Sequence, residues 1–74
     1  MPKLPRLTAR QIIAAIEKVG FVLVRQSGSH AIYKNGVGRR VTIPVHASRV
    51  LHPKLVKSVL RDADLTVDKL QELL

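Results

Sequence analysis

The apolar positions fall into blocks of two different periods. Ile12, Ile13, Ile16 and Val19 recur at helical spacing, which predicts a helix opened by Thr8 and stopped at Gly20. Thr8 and Gln11 stand at capping-box spacing, and Leu7 and Ile12 fall at the flanking staple positions. Residues 21–24 form a short apolar, β-branched run and read as a first strand. Ser27-Gly28-Ser29 is turn chemistry. Residues 30–34 read as a second strand. Asn35-Gly36 marks a hairpin whose loop is lengthened by Val37-Gly38. Residues 39–43 alternate as a third strand, and Pro44 ends it or sets it at an edge. Residues 45–52 read as a loop. Leu55, Val56, Val59, Leu60 and Ala63 mark a second helix with Pro53 in its first turn. Asp62-Ala63-Asp64 breaks that pattern. Thr66 caps a short last helix carrying Val67, Leu70, Leu73 and Leu74, with Asp68 suited to its dipole. Residues 1–7, with two prolines, read as an irregular arm.

Three consecutive strands with helices on either side in sequence give an α+β layer, with the helices on one face of an antiparallel sheet. The 74 residues make one small domain, residues 1–74, without repeats or low-complexity segments. Strict alternation sets His30, Ile32 and Lys34 on one face of the second strand and Tyr33 on the other. If Ile32 points at the helices, His30 is half-buried. A bulge near Gly28-Ser29, or a place at the end of the sheet, relieves this.

Charge changes the picture most. The chain carries +8 at neutral pH, and unevenly. Twelve Lys or Arg stand against one acid, Glu17, in residues 1–61. Four acids stand against Lys69 in residues 62–74. A cationic body points to a polyanionic partner, and nucleic acid fits best. The only aromatics are Phe21 and Tyr33, which argues against a platform that stacks many bases. Absence of cysteine excludes disulfides and thiolate metal sites. No apolar run approaches a membrane span and the start lacks a signal-peptide core, so a cytoplasmic location is expected.

The densest chemistry lies in Arg25-Gln26-Ser27-Gly28-Ser29-His30. It joins a cation, hydroxyls, a glycine and an imidazole, the side chain that takes and gives protons near neutrality. Cleavage of RNA by its own 2′-hydroxyl needs an acid or base and cations around the phosphate. His30 suits the first task; Arg25, Lys34, Arg39 and Arg40 suit the second. Gly28 lets backbone amides approach a phosphate, and Ser29 adds a donor. Gln26 belongs to the same RNA-binding set. Tyr33 and His46 are possible supporting groups, and His46 is the better candidate for a second proton carrier. His52, before Pro53, reads as a helix cap. Tyr33 reads equally as core with its hydroxyl at the rim. Lys54, Lys57 and Arg61 make a cationic stripe on the second helix.

Gly20-Phe21, Arg25-Gln26-x-Gly28-Ser29-His30-x-x-Tyr33, Val41-Thr42-Ile43-Pro44-x-His46 and a later Ser58-Val59-Leu60 together resemble the HicA family of small ribosome-dependent mRNA-cleaving toxins. The resemblance runs from about residue 8 to 65. It implies the double-stranded-RNA-binding-like order α-β-β-β-α. It also implies endoribonuclease cleavage of mRNA with no metal or cofactor, and catalysis by His30. The partner it implies is a HicB-type antitoxin that covers the active site. The chain departs from the family where a Gly-Thr pair commonly opens the second helix, having Pro53-Lys54, and where Ala-Gly commonly follows it, having Ala63-Asp64. The rival readings are a non-catalytic double-stranded-RNA-binding module of the same fold, and an interaction domain whose positive surface meets an acidic protein.

Overall fold

A computed structural model describes residues 4–46 and 49–74. Residues 1–3 of the expected arm and 47–48 of the expected loop lie outside the described residues. The order is α1 (Ala9–Lys18), β1 (Val22–Ser27), β2 (His30–Lys34), β3 (Arg40–Pro44), α2 (Pro53–Ala63) and α3 (Val67–Leu73). The strands form an antiparallel sheet in the order β1-β2-β3. This is the α+β, double-stranded-RNA-binding-like layout, with a third helix added.

Local chemistry explains the helix ends. The Thr8 hydroxyl accepts from the Gln11 amide at 3.3 Å, and Gln11 Oε1 accepts from the Thr8 amide at 2.9 Å. Gly20, at φ +97°, turns the chain out of α1. His52 Nδ1 accepts from the Lys54 amide at 3.1 Å and caps α2, as expected. At its other end Asp64 takes the left-handed conformation, φ 59°. Thr66 Oγ1 accepts from the Lys69 amide and caps α3. That last helix is tied down: Leu70 is fully buried, and Lys18 Nζ donates to the Leu73 carbonyl at 2.6 Å.

One core joins all the layers. Ile12 and Ile16 of α1, Val41 and Ile43 of β3, Val56 and Val59 of α2 and Leu70 of α3 are its most buried large side chains. Leu7 and Leu51 also belong to it, linked where the Leu51 amide donates to the Leu7 carbonyl at 2.7 Å. The arm and the loop before α2 therefore run together, with Thr8 and Val50 bridged.

Two expectations are corrected. The first strand begins one residue later and runs three further than residues 21–24, because Phe21 leaves the ladder and enters the core. Helix packing falls on β3, so β1 overhangs as an edge with all six residues exposed. Val22, Leu23 and Val24 keep 60%, 50% and 51% of their surface. A bulge and Arg25 on that edge discourage further strand pairing.

The second correction concerns side-chain faces. Ile32 does not point at the helices; Ala31 and Tyr33 do. The register Tyr33↔Val41 and Ala31↔Ile43 imposes this, since directly opposed residues share a face. The opposite parity would carry His30 and Lys34 into the apolar layer, where a charge is costly. The half-burial anticipated for His30 therefore does not occur. The sheet does contain a bulge, but it lies between Leu23 and Arg25 rather than near Gly28-Ser29.

Candidate functional site

The β1–β2 connection is a two-residue hairpin. Ser27 pairs with His30, leaving Gly28 and Ser29 at the turn. Gly28 has φ +58° while Ser29 stays out of the positive-φ region, the sign pattern of a type II′ turn. No protein atom lies within 4 Å of where a Gly28 Cβ would stand, so the glycine is required by backbone conformation and not by crowding. Gln26 Nε2 donates to the Gly28 carbonyl at 3.3 Å and braces the turn. The Val45 amide donates to the Ser29 carbonyl, so the chain leaving β3 is stitched to the same turn.

The face turned away from the helices collects the chemistry. His30 lies opposite Ser27 on one side and Pro44 on the other. Next along β2 comes Ile32, flanked by Arg25 and Thr42. Then comes Lys34, flanked by Val22 and Arg40. The bulge is what sets Arg25, instead of Val24, across from Ile32. His30, Arg25, Lys34 and Arg40 are all exposed. At a rise of ~3.3 Å per residue, Arg25 is about two positions from His30 and the Lys34–Arg40 pair about four, near 13 Å. Lys34 and Arg40 are like charges directly opposed, an arrangement that costs stability unless an anion lies across it. Among the described residues, none of these three cations has a carboxylate partner within 4.0 Å.

Three other expected site residues are placed elsewhere. Arg39 turns to the helix side. Its Nη1 donates to the Asp62 carbonyl at 3.3 Å, and its Nη2 stands 3.7 Å from Asp64 Oδ2, at the end of α2. It fastens the β2–β3 hairpin to that helix and does not join the open face. Tyr33 is only 5% exposed and faces the core, away from His30. Burial, and then the charge of Glu17, push its hydroxyl pKa above 10.0. It makes no support for His30. Gln26 shares the Ala31 position, on the opposite face from His30, and acts through the turn.

His46 is exposed, two residues beyond Pro44 and one beyond the Val45–Ser29 link. Its imidazole has no hydrogen bond among the described residues. The structure therefore brings two histidines, a glycine turn and Arg25 to one end of the sheet. Sequence alternation alone missed Thr42, a hydroxyl on the open face beside Ile32; the β2–β3 register reveals it. Among the described residues no group of three His, Cys, Asp or Glu is gathered as for a metal ion. Among them, too, no helix is long and apolar enough to cross a membrane.

Among curated proteins none matches the chain significantly. A family model described as HicA toxin of bacterial toxin-antitoxin does match, over residues 9–65. The matched span runs from the first residue of α1 to the turn after α2. It includes the whole sheet, His30, His46 and both places where the chain departs from the family's usual residues. With such a toxin comes an antitoxin partner. The chain belongs to the HicA toxin family and is a toxin of a toxin–antitoxin system.

Proposed function

We propose that the protein is an endoribonuclease that cleaves mRNA through His30 and is held inactive by a HicB-type antitoxin seated over the open face of the sheet. The observation that carries this reading is the register Ser27–His30–Pro44. It leaves an imidazole exposed beside a glycine turn, on the same face as Arg25, Lys34 and Arg40.

The chemistry follows from those groups. An RNA strand lies along the cationic face with a phosphate at the Gly28-Ser29 turn, where the backbone is open to solvent. His30 takes the proton from the ribose 2′-hydroxyl. The freed oxygen attacks phosphorus, and the phosphorus–5′-oxygen bond breaks. A proton passes to that leaving oxygen, and the products are a 2′,3′-cyclic phosphate and a 5′-hydroxyl. Arg25 stabilises the charge that builds on the phosphorane. His46, which lies at the same end of the sheet but toward the helix side, is the donor this reading assigns. No step in this route calls for a metal ion.

Expression of the protein alone arrests growth if this is right, and His30→Ala lifts the arrest at equal soluble level. Co-expression of the antitoxin lifts it as well. Continued arrest by soluble His30→Ala protein would remove His30 from the chemistry. RNA binding with a steep salt slope but no cutting would favour a non-catalytic module of this fold.

A further inference from the structure

A cleft of about 810 Å³ opens at the His30 end of the sheet, on the helix side. Its apolar walls are Ala9 and Ile13 of α1 and Val45 beyond β3; Arg10, Gln11 and His46 stand in its lining. It lies in the size range of small-ligand sites. It is joined to the catalytic turn through the chain itself. Val45 is bonded to Ser29, and His46 is two residues from Pro44, which stands opposite His30. That puts its near wall on the order of 10 Å from His30 by strand geometry.

The polar groups in the cleft are available. Gln11 Oε1 is used by the Thr8 amide, so its Nε2 is left to donate outward. Among the described residues Arg10 makes no ion pair, and neither Arg10 nor the His46 ring has a hydrogen bond. The cleft is thus largely apolar and rimmed with donors.

We propose that this cleft is a nucleobase subsite, that it takes the base of a nucleotide beside the cut phosphate, and that it favours guanine. The faces of the base pack against the half-buried Ile13 and Val45. The donors of Arg10 and Gln11 ask for two adjacent acceptors, which guanine supplies as O6 and N7. Adenine offers a donor, its amino group, beside N7. Unstacked bases read on their edges are the usual basis of sequence choice in single-stranded RNA. The inference rests on the endoribonuclease reading for its function but not for its binding.

The test uses the full chain carrying His30→Ala and oligouridine decamers with one central G, A or C, read by fluorescence anisotropy. The G decamer binds about tenfold more tightly than the A decamer, and Arg10→Ala erases that difference. Lys54→Ala, which removes a charge from α2, weakens all the decamers alike. With His30 intact, cuts fall beside G and lose that preference in Arg10→Ala. Arg10 is exposed on the helix surface, and a circular dichroism melt confirms that the variant is folded. Equal affinity for all decamers, or a guanine preference that survives Arg10→Ala, overturns the subsite; RNA cutting in that case leaves the nuclease standing. Arg10-dependent guanine preference without any cutting keeps the subsite and removes the nuclease. Capture of protein but no RNA by this cleft refutes both.

Discussion

Arg39 and Arg40 are neighbours in sequence, and the structure gives them opposite tasks. Arg40 stands on the open face across from Lys34, while Arg39 reaches to the end of α2. Replacing each by alanine separates the two tasks. A cation that contacts an RNA phosphate releases about 0.7 counterion per contact on single strands, and this sets the slope of log affinity against log salt. Arg40→Ala, Lys34→Ala and Arg25→Ala each lower the slope by about 0.7, and the triple variant by about 2. Raising salt from roughly 50 to 200 mM then costs the triple variant about twentyfold less affinity than it costs the natural protein. Arg39→Ala behaves differently. It loses an ion pair whose side chains are 44% and 77% exposed, and one bond to a helix-terminal carbonyl. Solvent screens such a pair, so the loss is about 0.5–1 kcal/mol of stability, with the slope unchanged. Salt titrations of RNA binding by anisotropy read the slope, and thermal melts read the stability. An Arg39→Ala slope that falls as far as the Arg40→Ala slope would show that RNA does not follow the open face.

Gly28→Ala forces a side chain into the left-handed region at φ +58° with nothing to clash against. The cost is about 1–2 kcal/mol, a fall of roughly 5–10 °C in melting temperature. Gly28→Asn loses less, and an equal loss in both would refute the turn geometry. Asp64 holds φ 59° where glycine is the favoured residue, so Asp64→Gly gains more at the backbone than it loses in the exposed pair with Arg39. The net is a gain of about 0.5–1 kcal/mol, visible as a melt raised by a few degrees; a lowered melt would contradict it. Tyr33 has its pKa raised in the folded state by burial and then by Glu17, so folding favours its neutral form. Its contribution is fully present below the ordinary tyrosine pKa of about 10 and is lost as pH rises through the higher folded value. Denaturant melts at rising alkaline pH show that loss, and Tyr33→Phe removes its share; identical pH dependence in both proteins would refute the assignment.

Much of this arrangement was legible in the residues. Thr8, Gln11 and Gly20 delimit α1 by capping chemistry that acts within one turn, and His52 and Thr66 do the same for α2 and α3. Gly28 marks the hairpin for the same local reason. What alternation within β2 could not decide was which face is the core. Ile32 is no less apolar than Ala31 or Tyr33, and a single strand holds no record of its partner. Only the pairing with Val41 and Ile43 shows that Tyr33 and Ala31 go inward and that His30 stays out. The bulge in β1 was equally hidden, because Val24 and Arg25 carry no turn residue to mark it. Sequence alone groups Arg39 with Arg40, because adjacency does not tell a strand's two faces apart. The length of β1 is hidden for a related reason: as an edge beyond the helices it has no apolar period to read.

The account depends on His30 as the group that moves the proton. The direct measurement is cleavage of an end-labelled mRNA by purified protein freed of its antitoxin, beside His30→Ala and His30→Gln proteins shown to be folded. The account predicts fragments ending in 2′,3′-cyclic phosphate from the natural protein, and a rate at least about a hundredfold lower from both variants. Cleavage by folded His30→Ala at the natural rate would contradict it.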